Sequence, residues 1–185
     1  MGIFSLFSKT GSVPRTDLVW ITAAAKLKGT PACLGNNRPD LCIAWFEETE
    51  RTYNRILNEE NQMNIGIKMA GSLRSFDCSG KTAVFLEHYP LYSREAALIE
   101  DYRPARVCFM NSLDDPLFQL FGGNIASLMR SLGLGEEEFI ENDMVSNAVI
   151  KAQKKVEKRI RDDFYARSGQ EWIETYRTYH GQRFR

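Results

Sequence analysis

The sequence predicts an α/β fold, a mainly parallel sheet with flanking helices, followed by a C-terminal helical extension. Three observations carry this. Short apolar runs alternate with amphipathic stretches from Leu41 to Asn111, the order that βαβ units produce. The run LCIAWF at Leu41–Phe46 is continuous rather than alternating, as in a strand buried on both faces of a parallel sheet. From Met144 onward apolar residues recur every four positions, a helical period. The chain divides into an N-terminal segment at 1–16, an α/β domain at 17–140 and a helical extension at 141–185.

Residues 8–16 (SKTGSVPRT) have linker composition. Leu18–Ile21 is a candidate strand, and Ala23–Lys28 a short helix ended by Gly29 and Pro31. Gly35–Asp40 (GNNRPD) is rich in turn formers and reads as a loop. After the strand Leu41–Phe46, a helix spans Glu47–Asn61. Tyr53, Ile56 and Leu57 share one of its faces, and its acidic first turn suits the helix dipole. Strands follow at Asn64–Ala70 and Thr82–Tyr89. Ser93–Tyr102 reads as a helix with Ser93 as its cap and Pro104 shortly after its end, and Ala105–Asn111 as another strand.

Ser112 and Asp115 then fit the S-x-x-D capping box, which satisfies orphan backbone N–H groups at a helix start. Pro116 falls in the first turn, where its missing N–H costs little. Leu117, Leu120 and Phe121 form an apolar face. Gly122 and Gly123 stop that helix, and Asn124 caps another with Leu128, Met129 and Leu132 on its inner side. The adjacent acids Asp114 and Asp115 read as caps rather than as an acid–base pair, because no His, Lys or nucleophile accompanies them in the chain. Last comes one long helix, Met144–Phe164, with Met144, Ala148, Ala152, Val156, Ile160 and Phe164 as its stripe and Val145 and Val149 beside it. Gly169 interrupts it, and Trp172, Ile173, Tyr176 and Tyr179 form a final turn or two that folds back on the core.

Composition narrows the function. The 185 residues are 43% hydrophobic and 26% charged, and the formal net charge is zero. A whole-molecule field for nucleic acid is therefore absent. Charge is uneven: residues 151–185 hold ten Lys or Arg against five Asp or Glu. Cys33, Cys42, Cys78 and Cys108 include no C-x-x-C pair, and only His88 and His180 could join them. The expectation is buried, reduced thiols in a cytoplasmic protein rather than a zinc site. No apolar run reaches the ~18 residues that span a bilayer. The apolar start MGIFSLF lacks a signal-peptide pattern, and Leu6 stands where myristoylation wants Ser or Thr. Ile3, Phe4 and Phe7 are either part of a frayed or docked N-terminus or a small hook for a membrane surface.

Ser79-Gly80-Lys81-Thr82 imitates the end of a phosphate loop. Such a loop needs G-x-x-x-x-G-K-[ST] between a strand and a helix. Here Ser75 takes the place of the first Gly, and the residues after Thr82 look like a strand. The four residues read as a turn entering that strand.

Taken together, SLDDPLFQLFGG, LMRSLGLGEEEFIEN and MVSNAVIKAQKKVEKR, within Phe109–Ile160, resemble the SecA family of preprotein-translocation motors. In that family the corresponding stretch ends the second ATPase half and enters the scaffold helix. The resemblance is clear over about 105–160 and loose over 41–104. It implies a RecA-like sheet with the architecture of P-loop NTPases, a context of bacterial protein export, and a protein partner, either SecA or another export component. The parts of the family that touch ATP do not carry over. Where it has an arginine-finger pattern of the form QLRGRSGRQG, this chain has LIEDYRPAR, with only Arg103 and Arg106. Its TNMAGRGTD is matched only by Met69-Ala70-Gly71. The first ATPase half, with its phosphate loop and acidic motif, has no counterpart.

The expectation is thus a non-catalytic accessory or interaction protein, with no cofactor, no nucleic-acid partner and no tight ATP binding. Two alternatives stay open: a nucleotide-binding subunit that completes its site with a partner's phosphate loop, and a regulator of something unrelated to export. The helix face bearing Lys151, Lys154, Lys155, Lys158 and Arg159 is either a solvated surface with i,i+4 support or a docking surface for an acidic partner or anionic lipid. These five are the candidate partner-binding residues; no catalytic, nucleotide-binding or metal-binding residue is expected.

Overall fold

The computed structural model describes residues 13–37, 39–59, 66–120, 138–141 and 143–180. Among these, six strands form one sheet. They are β1 (Arg15–Trp20), β2 (Leu41–Ala44), β3 (Ile67–Met69), β4 (Thr82–Phe85), β5 (Arg106–Ser112) and β6 (Phe139–Glu141), in the order β3-β2-β4-β5-β1-β6. The first five are mutually parallel, and β6 runs antiparallel to β1 along one edge. This is the expected α/β, RecA-like arrangement.

The continuous apolar runs form these strands because helices cover both faces. On one face Trp20, Cys42, Ala44, Val84, Leu86 and Met110 meet α1 (Ala23–Asn37) and α2 (Glu47–Glu59) through Cys33, Leu34, Tyr53 and Leu57. On the other, Ile43, Phe85, Val107 and Phe109 meet α3 (Ser75–Cys78) and α4 (Tyr92–Tyr102) through Cys78, Leu98 and Ile99. Successive strand residues alternate between the two layers, as the pleat demands. Each fully buried side chain of the size of Phe85 or Ile43 stabilises the fold by about 1.5–3 kcal/mol. The chain steps from β1 to β2 to β3 in one direction, then back through β4 to β5. Right-handed crossovers send the helices of the return steps to the opposite face.

Several elements differ from the sequence expectation. β1 starts at Arg15, inside the stretch read as linker. α1 does not stop at Gly29 but runs through Gly29 and Pro31 into GNNRPD, ending at Asn37. A Cβ at Gly29 would lie 2.8 Å from Trp20 Nε1, so the glycine serves close helix–strand packing, not termination. Beyond Pro31, the buried Cys33 and Leu34 hold the last turns on the sheet. α4 begins at Tyr92, and Ser93 is not its cap. Ser93 instead donates its backbone N–H, at 3.1 Å, and its hydroxyl to Glu157. The acidic turn before the long helix contains β6, a three-residue strand too short to be read from pattern.

The long helix is also shorter than its period suggests. α5 (Asp143–Glu157) ends seven residues before Phe164. Its inner face is Val145, Val149, Ala152, Gln153 and Val156, whereas Met144 is 67% exposed. The chain leaves the helix because two interactions beyond it need a different path. Phe164 stacks on Trp172 at 4.5 Å. Asp163 accepts hydrogen bonds from Tyr89 Oη at 2.8 Å and Trp172 Nε1 at 3.1 Å, and pairs with Arg94 Nε at 3.0 Å. α6 (Gly169–His180) then folds back as expected: Trp172, Ile173 and Tyr176 pack with Phe46, Leu91 and Val156. Tyr179 remains exposed. The N-terminal Ile3, Phe4 and Phe7, read as a frayed or docked end or alternatively a membrane hook, lie outside the described residues, as do the helix stop at Gly122 and Gly123 and the helix with Leu128, Met129 and Leu132.

Candidate functional site

A cleft of about 260 Å³ opens where the carboxyl ends of β4 and β5 meet the first turns of α1, α2 and α6. Its place follows from the topology. α2 leaves β2 for one face and α4 leaves β4 for the other, so the connections part between neighbouring strands. That is where ligand crevices of open α/β sheets lie. Polar residues at strand ends (Glu87, His88, Asn111) and on helices (Lys26, Thr49) share the cleft with apolar walls from Leu27, Tyr53, Phe118 and Ile173.

The charges in the cleft are mostly satisfied from within. Lys26 Nζ pairs with Asp115 Oδ2 at 2.9 Å. Burial pulls the lysine toward neutrality, but Asp115 more than offsets it and keeps the ammonium charged above its ordinary range. Glu87 Oε1 accepts the backbone N–H groups of Trp45 and Phe46, both at 3.1 Å, and Oε2 accepts the Thr49 hydroxyl at 2.6 Å. It therefore caps the N-terminus of α2. Burial pushes its carboxyl up to about 7, against the opposing pull of the Thr49 hydrogen bond and of Lys26. Asp114 Oδ2 accepts the N–H of Ala23 at 2.9 Å, at the start of α1. The N-termini of α1 and α2, which would otherwise attract a phosphate, are thus occupied by carboxylates of the chain itself, and at the start of α6 the Ser168 hydroxyl accepts the N–H of Glu171 at 3.1 Å.

Behind the cleft lies a buried ionic network. His88 Nε2 is 2.5 Å from Asp17 Oδ1, and Nδ1 is 2.8 Å from Glu95 Oε1. Arg15 bridges the same two carboxylates, at 3.2 and 3.4 Å, and lies over the Phe109 ring. Ionised carboxylates only accept, so both imidazole nitrogens donate and the ring is an imidazolium. Burial lowers its pKa, but Glu95 and Asp17 raise it further, for a net rise. Burial raises Asp17, but His88 and Arg15 hold it well below the usual carboxylate range. Ser146, on α5, donates its hydroxyl to Asp17 and not to His88. No ring nitrogen is left to act as a base, so this Ser–His–Asp set, with Glu95, joins β1, α4 and α5 rather than forming a nucleophilic triad.

The capping box at Ser112 and Asp115 holds locally: Asp115 accepts from Ser112 N at 2.9 Å and Ser112 Oγ at 2.8 Å. The expectation that no lysine accompanies the acidic pair does not, since Lys26 arrives from α1, 89 positions away. Ser79–Thr82 sits at the amino end of β4, the opposite edge from the cleft. Gly80 takes φ +70° there, and Lys81 N–H donates to Cys78 O at 3.0 Å. Arg103 and Arg106 are exposed on that same edge. Lys151, Lys154, Lys155, Lys158 and Arg159 are exposed on α5 and just past its end, with Lys154 Nζ 4.3 Å from the centre of the Tyr92 ring. They are not part of the cleft.

None of the four cysteines is in a disulfide, and burial pushes the Cys42 and Cys108 thiols up to about 12. Among the described residues no group of three or more His, Cys, Asp or Glu could hold a metal ion, and no helix is long and apolar enough to cross a membrane. Sequence reasoning missed Asp17, Lys26, Glu87, His88, Glu95 and Asn111. The available signal was position: Glu87, His88 and Asn111 are polar residues at the carboxyl ends of apolar runs, where crevices form.

No protein-family model matches the chain. It is similar to segments of the protein translocase subunit SecA. Against that of Chromohalobacter salexigens it is 53% identical over 57 residues, 30% of this chain and 6% of that protein. Against that of a Psychrobacter species it is 45% identical over 65 residues, 35% and 7% of the two chains. Against that of Rubrobacter xylanophilus it is 32% identical over 125 residues, 62% and 14% of the two chains. The chain thus spans 6–14% of the length of these curated relatives.

Proposed function

We propose that this chain is a non-catalytic, SecA-related interaction protein of the bacterial cytoplasm that acts in protein export by docking on an acidic surface of SecA or another export component. The observation that carries the export context is the 32–53% identity to segments of the translocase subunit. Three features support a role without ATP chemistry. The Ser79–Thr82 sequence enters a strand at the edge away from the cleft. The arginines of LIEDYRPAR sit at that edge too. Glu87 and Asp114 occupy the N-termini of α2 and α1, where a phosphate would otherwise be held. For docking, the exposed basic face of α5 is the favoured surface, because Lys151, Lys155 and Lys158 form an i, i+4, i+7 row.

The test pairs purified SecA with the immobilised chain. Capture is expected, and it should weaken as salt rises, since exposed charges are screened beyond about 10 Å at 0.1 M ionic strength. Replacing Lys151, Lys155 and Lys158 by Glu should abolish capture without lowering the melting temperature; undiminished capture would overturn the docking assignment. Calorimetry with Mg-ATP should show no sub-millimolar binding to the isolated chain, and Lys81→Ala should change nothing. Robust ATP turnover lost in Lys81→Ala would overturn the non-catalytic reading. Nucleotide binding that appears only with SecA present would favour the shared-site alternative.

A further inference from the structure

The cleft holds more acceptors and more negative charge than its own cation satisfies. Lys26 is committed to Asp115 at 2.9 Å, which leaves Glu87 with amide and hydroxyl donors but no cation of its own. Glu48, also lining the cleft, adds a further carboxylate. Asn111 lines the same cleft, is fully buried, and its Oδ1 has no hydrogen-bond partner. Anions are disfavoured here, because Lys26 and the N-termini of α1 and α2 are each met by a carboxylate, and at the N-terminus of α6 the Ser168 hydroxyl accepts the Glu171 N–H at 3.1 Å. Leu27, Tyr53 and Ile173 supply apolar wall, and a volume near 260 Å³ suits a ligand of several heavy atoms.

We propose that this cleft is a binding site for a primary alkylammonium group on a short apolar body. An ammonium carries three donors and no acceptor. It would donate to Glu87 Oε2, which has accepted one hydroxyl, and to Asn111 Oδ1, while its methylenes lie against Leu27 and Ile173. Its charge would bring the Lys26–Asp115–Glu87 set to neutrality. The site stands apart from the basic face of α5, so its failure and the failure of the export reading are separate results. A free amine and a lysine side chain present the same chemistry.

The test is a titration of the full chain with n-butylamine, n-butanol and butyrate, followed by calorimetry and by backbone amide shifts. Saturable binding of butylamine is expected at pH 8, at least tenfold tighter than butanol, with no butyrate binding. The largest shifts should fall on Trp45 and Phe46, whose amides donate to Glu87. Because the Glu87 carboxyl sits near 7, protonation should weaken butylamine binding about tenfold between pH 8 and pH 6. Glu87→Gln, which keeps an acceptor for the two amides, should lose at least tenfold in affinity. Should that variant fail to fold, the isostere comparison and the pH dependence of the parent decide alone. Equal binding of butanol and butylamine, binding indifferent to pH, or no saturation by 50 mM amine would each overturn the proposal. Tighter binding of Nα-acetyl-lysine N-methylamide than of butylamine would assign the site to a polypeptide lysine, and weaker binding to a free amine.

Discussion

Gly29→Ala sets two effects of opposite sign against each other. At an interior helical position, alanine in place of glycine gains roughly 1 kcal/mol. Here the new methyl would lie 2.8 Å from Trp20 Nε1 and 3.2 Å from Cε2. The nearest atoms belong to a rigid ring that is 1% exposed and packed on Phe139 at 5.0 Å, so it has little room to yield. Overpacking of this kind costs about 1–3 kcal/mol. The expected net loss is about 0–2 kcal/mol, or up to about 8 °C in melting temperature for a chain of this size. Gly71→Ala, with nothing within 4 Å of its new Cβ, should change stability by less than about 0.5 kcal/mol. Thermal and urea melts of both variants make the comparison. In a Trp20→Phe background the clash partner is smaller, and Gly29→Ala should become neutral or favourable, a coupling of about 1 kcal/mol or more. A Gly29→Ala melt above the parent's would show that propensity alone governs the site, and the close-packing argument would fall.

The remaining predictions use the same melts. Val156→Asp places a carboxylate among Phe46, Leu91, Trp172 and Ile173 and should cost several kcal/mol; Lys154→Asp, on the exposed side, should cost about 1 kcal/mol or less through its lost contact with Tyr92. Equal melts for the two would contradict the docking of α5. Asp17→Asn leaves His88 and Arg15 short of a buried carboxylate and should cost about 3 kcal/mol at pH 7. Asp17 has a depressed folded pKa, so its contribution is present above the unfolded value of 3.8 and is lost as pH falls; the variant's stability should decline less than the parent's on acidification. Glu87 has the opposite sign: its contribution is present below 4.5 and lost as pH rises through about 7, so Glu87→Gln should flatten the parent's decline across that window. An unchanged pH profile in Glu87→Gln would remove the carboxyl from the account.

Local pattern determined the elements whose signal is their own burial. The largely apolar cores LCIA, TAVF and VCFM had to be strands of a covered sheet, because such a run has no exposed side to spare, although the strands read as Leu41–Phe46 and Thr82–Tyr89 end at Ala44 and Phe85. Tyr53 and Leu57 had to face inward, because the helix around them is charged elsewhere. The S-x-x-D box was legible for the same reason: its hydrogen bonds close within four residues. The SGKT sequence is legible as a turn, because a strand begins directly after it.

Tertiary structure decided whatever depends on a partner far along the chain. Gly29 looks like a stop until Trp20 is placed against it, and Ser93 looks like a cap until Glu157 arrives 64 positions later. The four-residue stripe of the last long segment continues to Phe164, yet the helix ends at Glu157, because stacking on Trp172 and the bonds to Asp163 outweigh a few more helical turns. The cleft was the least legible feature. Lys26 and Asp115 are 89 positions apart, and His88 and Asp17 are 71 apart. A periodicity records what each residue needs, burial or solvent, but not which distant group will meet that need. Only the crossing of strands and helices fixes that.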